Sequence, residues 1–295
     1  MHTSPRFARA LVTSSLLAPL FLVASATDVP AAADTASTML IGTYNIRAGV
    51  STGTFQDAVE ALMPKVKVAG LQEVNSHAKE AVLQSLSPGW GYFRAPYKHG
   101  EQTPVIWDMS AFSFLSARSA RIAKATYIGN ELTGRDGHLP AYFATVVHLR
   151  QLASGQNISI VNIHLVPGAV YAGEPMPGRP RLFKLYLHEV ARVAEITMVE
   201  EGFGPVYVLG DFNVGWHADM VHHRVGLPYR TFKSMAMRSM WATGAASRPK
   251  TLGTHSTSLI DQVYAATAAT TASVKSGIRF SDHYPAVASY EVPVT

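Results

Sequence analysis

From Met39 onward the chain alternates short β-branched apolar runs with amphipathic stretches of helical period. Met39–Ile46 (MLIGTYNI) predicts a strand, Thr54–Met63 a helix, Val68–Val74 a strand and Ser76–Leu86 a helix. The middle of the chain is strand-rich, with Val105–Trp107, Phe112–Ile122, Tyr142–Leu149 and Ile158–Leu165 suited to buried or half-buried strands. Arg181–Glu201 is the longest helical pattern: Leu182, Leu185, Val190, Val193 and Ile196 fall on one face, and Gly202–Pro205 ends it. Val206–Leu209, Leu259–Tyr264 and Tyr284–Val292 supply the closing strands. No internal repeat interrupts this α/β order, and residues 39–295 are expected to form one domain.

Polar residues interrupt the apolar runs at their ends. They are Asn45 in TYNIR, Glu73 in GLQEV, His164 in VNIHL, Asp211 and Asn213 in LGDFN, Asp261 in LIDQVY, and Asp282–His283 in SDHYP. A polar or charged group next to buried apolar residues is costly unless it is paired or bound to a cation. Any one of them fits a capped turn or a satisfied core group; together they call for a common explanation. Carboxylate and amide oxygens suit Mg²⁺, Mn²⁺ or Ca²⁺, whereas Zn²⁺ would favour several His or Cys ligands. The two histidines suit proton transfer.

The motifs N-x-R, Q-E-V, N-x-H-L, G-D-F-N, I-D and S-D-H occur in that order between Met39 and Val292. In this the chain resembles the endonuclease/exonuclease/phosphatase superfamily, which includes deoxyribonucleases, apurinic-site nucleases, neutral sphingomyelinases and inositol-polyphosphate phosphatases. The resemblance implies a four-layer α/β sandwich, two packed mixed β-sheets flanked by helices. It implies a metal site of Glu73, with Asn45 and Asp282 close to the metal or its waters. It implies that Asp211 and Asn213 bind the phosphate and position water, or hold a second metal. His283, oriented by Asp261 or Asp282, would act as base or bind a phosphate oxygen, and His164 would serve the phosphate or leaving group. Glu101, in HGEQTPVIW, is a looser match to a carboxylate supporting His164. Arg135, in GRDG, could reach a phosphate or sit in a plain surface turn.

The expected activity is divalent-metal-dependent phosphodiester hydrolysis with Mg²⁺, Mn²⁺ or Ca²⁺, and a nuclease acting on DNA or RNA leads. A sphingomyelinase-like lipid phosphodiesterase would need an apolar loop near the site, for which Pro167–Pro180 with Val170, Tyr171 and Met176 is the candidate. An inositol-phosphate phosphatase would need clustered cations, for which only Arg179, Arg181 and Lys184 offer themselves. A non-enzymatic binding member would be expected to have lost Glu73, Asp211 or the final histidine. No stable protein partner is expected.

Composition adds location and charge. Arg6 and Arg9 precede an apolar run, Ala10–Ala26, broken by Pro19 and followed by small residues, so residues 1–33 read as an export signal cleaved after Ala26 or Ala33. The expected location is outside the cell, and the absence of cysteine leaves stability to the core alone. The formal charge is +5, of which residues 1–33 carry +1 through Arg6 and Arg9 against Asp28. A modestly basic body suits a phosphate-bearing polymer or an anionic surface. His188-Glu189 has Arg192 where a zinc-protease helix needs a second histidine.

Overall fold

The protein is described by a computed structural model covering residues 37–96, 98–132, 137–243 and 252–292. The expected export signal and Arg135 lie outside these residues. The described residues form one compact unit. Among the described residues no helix is long and apolar enough to cross a membrane.

The chain opens with β1 (Ser37–Asn45), α1 (Thr52–Leu62), β2 (Val68–Gln72), α2 (His77–Gln84), β3 (Trp90–Phe93) and β4 (Val105–Asp108). Next come the long edge strand β5 (Phe112–Ala123), the small hairpin β6 (Thr126–Tyr127) and β7 (His138–Leu139), then β8 (Tyr142–Gln151) and β9 (Asn157–His164). A second hairpin, β10 (Val170–Tyr171) and β11 (Glu174–Pro175), leads into α3 (Pro180–Glu200) and β12 (Val206–Asp211). The rest is α4 (Trp216–His222), α5 (Pro228–Ser234), β13 (Arg238–Ser239), β14 (Asp261–Ala265), β15 (Thr271–Val274) and β16 (Ala286–Val292).

Two six-stranded sheets result, ordered β15-β16-β1-β2-β4-β3 and β13-β14-β12-β9-β8-β5. Each has a central strand, β1 or β12, with a parallel neighbour on one side (β2, β9) and an antiparallel one on the other (β16, β14). Both are mixed sheets, as the resemblance implies. Three apolar layers separate the four structural layers. Phe55, Ala58, Val59 and Leu62 of α1 pack on the outer face of the first sheet with Ala69 and Leu71. Met39, Ile41, Ile158, Ile160, Tyr207, Leu209 and Val263 fill the space between the sheets. Leu182, Tyr186, Val190 and Val193 of α3 cover the second sheet with Val206 and Val208.

Strand parity explains where the polar residues go. Successive side chains alternate faces, so Asn45 shares the inter-sheet face with Ile41, His164 with Ile160, Asp211 with Leu209 and Asp261 with Val263. All four stand at one end of the sandwich, where the inter-sheet core gives way to polar groups. Just beneath them a buried ladder joins the sheets: Thr43 Oγ1 donates to Gln72 Oε1 (3.2 Å), and Gln72 Nε2 to Asn162 Oδ1 (2.7 Å). Asn162 Nδ2 then donates to the carbonyls of Leu71 (2.9 Å) and Pro104 (2.8 Å). Gly70 permits this approach, since a Cβ there would lie 2.1 Å from Leu209 Cδ1 and 2.5 Å from Asn162 Cγ.

Candidate active site

Three neighbouring strands of the second sheet place their site residues in register. Asp211, the last residue of β12, pairs with His164 on β9 and with Asp261 on β14. Gly210 before it has φ +141, and a Cβ there would meet the Ile163 carbonyl at 1.9 Å, so this position of the G-D-F-N turn requires glycine. Asp211 is buried, and its Oδ1 accepts the backbone N–H of Asn213 at 2.8 Å. Asn213 takes a left-handed conformation (φ 50) and donates its side-chain amide to the Leu165 carbonyl at 2.8 Å. Beneath the turn Phe212 is buried, and its carbonyl accepts the Tyr186 hydroxyl of α3 at 2.6 Å.

The first sheet supplies Asn45 and Glu73. Asn45 Nδ2 donates to Asp211 Oδ2 (3.0 Å) and to Glu73 Oε1 (3.2 Å), joining the sheets at the site itself. Parity would turn Glu73 to the outer face beside Leu71. Its φ of 65 breaks the alternation and brings the carboxylate back to Asn45 and to the Ala48 N–H at 2.6 Å. A non-glycine residue held there costs on the order of 1 kcal/mol or more, and such strain collects at functional sites. Lys79 of α2, itself buried, steadies the Ala48 segment by donating to the carbonyls of Ala48 (3.0 Å) and Arg47 (3.4 Å).

His283 comes from the turn before β16. Its Nδ1 lies 2.9 Å from Asp261 Oδ2 and its Nε2 3.9 Å from Asp211 Oδ2, while His164 Nε2 lies 3.5 Å from the same Asp211 oxygen. Burial alone would lower the pKa of His283. Asp261, Asp211 and Asp282 outweigh it and raise it to about 10, so the ring is an imidazolium at neutral pH. Burial pushes the Asp261 carboxyl upward and the His283 charge opposes this; the pair stands as imidazolium and carboxylate. Thr254 anchors Asp261 by accepting its N–H at 3.0 Å, and His255 packs its ring on His283 at 4.6 Å. Neither Thr254, His255 nor Lys79 interrupts an apolar run, so the strand-end pattern that marks the other residues does not single them out.

Asp282 sits at the exposed rim, 3.8 Å from Arg47 Nε, and Ser281 Oγ accepts the Arg47 N–H at 3.0 Å. Thus Asn45, Glu73, His164, Asp211, Asn213, Asp261 and His283 form one connected network, with Asp282 at its edge. Glu101 lies in a half-buried turn and makes no hydrogen bond or ion pair to His164 among the described residues.

The donor set fits a hard divalent cation. Among the described residues Asn45 Oδ1 and Asp261 Oδ1 are buried acceptors with no hydrogen-bond donor, and Asn45 and Glu73 together offer only oxygen ligands on that side. Asp211, Asp261 and His283 also present ligand atoms within 4.8 Å of one another, but this group requires His283 in its neutral form.

Comparison with known proteins agrees with this geometry. The family model described as the endonuclease/exonuclease/phosphatase family matches residues 42–283. No curated protein sequence matches the chain. An endonuclease/exonuclease/phosphatase family protein of Bacteroides thetaiotaomicron superposes with TM-score 0.62 at 15% identity, covering 87% of this chain and 98% of that one. A mannosyl-6-phosphatase of the same organism gives 0.59 at 14% identity, covering 86% and 99%. D. rerio TDP2 complexed with a single-strand DNA product gives 0.58 at 14% identity, covering 87% and 100%. At these identities the structural likeness shows the fold, and the family match carries the assignment. The chain belongs to the endonuclease/exonuclease/phosphatase family, enzymes that hydrolyse phosphoester bonds with the help of a divalent cation.

Proposed function

We propose that this protein is an exported, divalent-cation-dependent phosphodiester hydrolase whose substrate is nucleic acid. The observation that carries the chemistry is the buried Asp211 carboxylate, flanked by Asn45, His164 and an imidazolium locked to its own aspartate. The basic net charge and the export-like N-terminus support the substrate class and the location.

Asn45 and Glu73 would hold the cation, Mg²⁺ or Mn²⁺ before Ca²⁺, with Asp282 at the edge. When bound, the cation polarises the phosphate and neutralises its charge. Asp211, oriented by the Asn213 N–H and the Asn45 amide, accepts a proton from the attacking water as its oxygen bonds to phosphorus. His283 donates from Nε2 to a phosphate oxygen, and Asp261 holds the ring in place. His164 donates to the leaving oxygen as the old ester bond breaks. Such preorganised charge is worth about 10²–10³ per donor.

A lipid phosphodiester is the second reading, favoured by one observation: the β10–β11 hairpin, six residues beyond His164, leaves Tyr171 70% exposed. Plasmid DNA, RNA, sphingomyelin and a chromogenic diester, each assayed with Mg²⁺ and Mn²⁺, decide between them. Cleavage of DNA or RNA is expected. Turnover of sphingomyelin with both nucleic acids left intact would overturn the substrate assignment.

A further inference from the structure

A cavity of about 380 Å³ lies between the end of α4 and α5, lined by His223, Tyr229, Arg230, Lys233 and Ser234. None of its lining residues is acidic. Among the described residues, neither Arg230 nor Lys233 pairs with a carboxylate, whereas Arg118, Arg192 and Arg224 each do. The two cations are instead held by neutral groups. Arg230 Nη1 donates to the His223 carbonyl at 3.3 Å. Lys233 Nζ donates to the Tyr229 hydroxyl at 3.4 Å and stands 5.4 Å above that ring. His223, in the left-handed conformation that ends α4 (φ 48), sets its ring edge-on to Tyr229 at 5.1 Å. Tyr229 is fixed from below, its N–H donating to the buried Asp219 at 2.8 Å.

We propose that this cavity is a second, non-catalytic subsite that grips the phosphate backbone of single-stranded nucleic acid, a claim that rests on the nucleic-acid reading above. Unpaired cations around a concave wall gain most from a polyanion, because binding releases its condensed counterions. The aromatic platform beside them suits the bases of a single strand. Reach is compatible with one ligand touching both places. Nine residues separate Asn213 from His223 and seven of them are α4, so the two lie at most about 25 Å apart. That span is at most about seven nucleotides at the duplex spacing of about 3.4 Å each, and fewer for an extended single strand.

The test is salt-dependent binding of a fluorescent 20-residue DNA strand in EDTA, by wild type, by Arg230→Gln/Lys233→Gln and by Arg192→Gln/Lys124→Gln. The last pair removes the same charge from outside the cavity. Circular dichroism verifies that each is folded. Loss of two phosphate contacts should weaken binding about ten-fold at low salt and make the slope of log K against log salt shallower by about 1.4. The control pair should keep most of the wild-type affinity and slope. Equal losses in both pairs, an unchanged affinity in the cavity pair, or no binding by wild type would each overturn the subsite. Cleavage plays no part in this readout. Binding through the cavity without hydrolysis of DNA or RNA would therefore support the subsite while refuting the substrate assignment.

Discussion

His283 and Asp261 stand Nδ1 to Oδ2 at 2.9 Å, and the other ring nitrogen of His283 faces Asp211 at 3.9 Å. Asp261 is wholly buried and Asp211 nearly so, and the two are opposite each other in adjacent strands. The charge of His283 therefore balances two carboxylates that the fold forces together. In the proposed mechanism this makes the histidine an electrostatic partner for phosphate rather than a free base.

Removing that partner should abolish turnover and leave the fold standing. His283→Ala and Asp211→Ala are expected to lower kcat on a chromogenic diester by at least about 10³-fold, and Asp261→Asn by about 10²-fold. Circular dichroism and Tm would verify folding. Turnover near the wild-type level in any of the three contradicts the assigned roles.

Glu189 gives a pH signature independent of catalysis. Its carboxyl is fully buried on α3, and burial raises its pKa to about 8 against the opposing N–H bond from Val166 at 2.8 Å. The folded state thus prefers the protonated form. That contribution is complete below about 4.5, fades as pH rises and is lost above about 8, a swing of roughly 5 kcal/mol at most. Glu189→Gln should shrink the fall in Tm between pH 6 and pH 9 relative to wild type. Parallel curves would contradict it.

Gly70 tests the contact between the sheets. A Cβ there would collide with Leu209 and Asn162, neither of which has room to withdraw. Gly70→Ala should cost about 2–3 kcal/mol in denaturant unfolding. A cost below about 0.5 kcal/mol would mean that the sheets are not so closely apposed.

Lys79 should act on the cation without touching it. Its Nζ holds the Ala48 carbonyl, and the Ala48 N–H holds Glu73. Lys79→Met is expected to raise the Mg²⁺ concentration for half-maximal activity by about ten-fold or more, as loss of a ligand's supporting partner does. An unchanged Mg²⁺ requirement would reduce Lys79 to a packing role.

Much of this was legible in the sequence, and parity shows why. Asn45, His164, Asp211 and Asp261 each end or begin a strand an even number of residues from a core apolar side chain, so the hydrophobic pattern already aims them between the sheets. The strand order that makes Asp211 the neighbour of both His164 and Asp261 depends on long-range pairing and is invisible along the chain. Glu73 was legible as a polar interruption, but its return to the site depends on a backbone turn that violates alternation. Asp261 opens β14 instead of sitting inside a strand from Leu259, and Thr254 supplies its cap from a loop with no distinctive pattern. The pieces missed by periodicity, β3, β13, β15, α4, α5 and the two hairpins, are too short to show a period.

The central claim is that Asn45 and Glu73 hold a divalent cation against a phosphate served by Asp211 and His283. Its most direct test is hydrolysis of the chromogenic diester by EDTA-dialysed enzyme on titration with Mg²⁺ and Mn²⁺, for wild type and Glu73→Ala. Wild type should be inactive after dialysis and recover with either ion, and Glu73→Ala should stay at least about 10²-fold below it at the same concentrations. Full turnover in EDTA, or equal recovery by Glu73→Ala, would contradict the account.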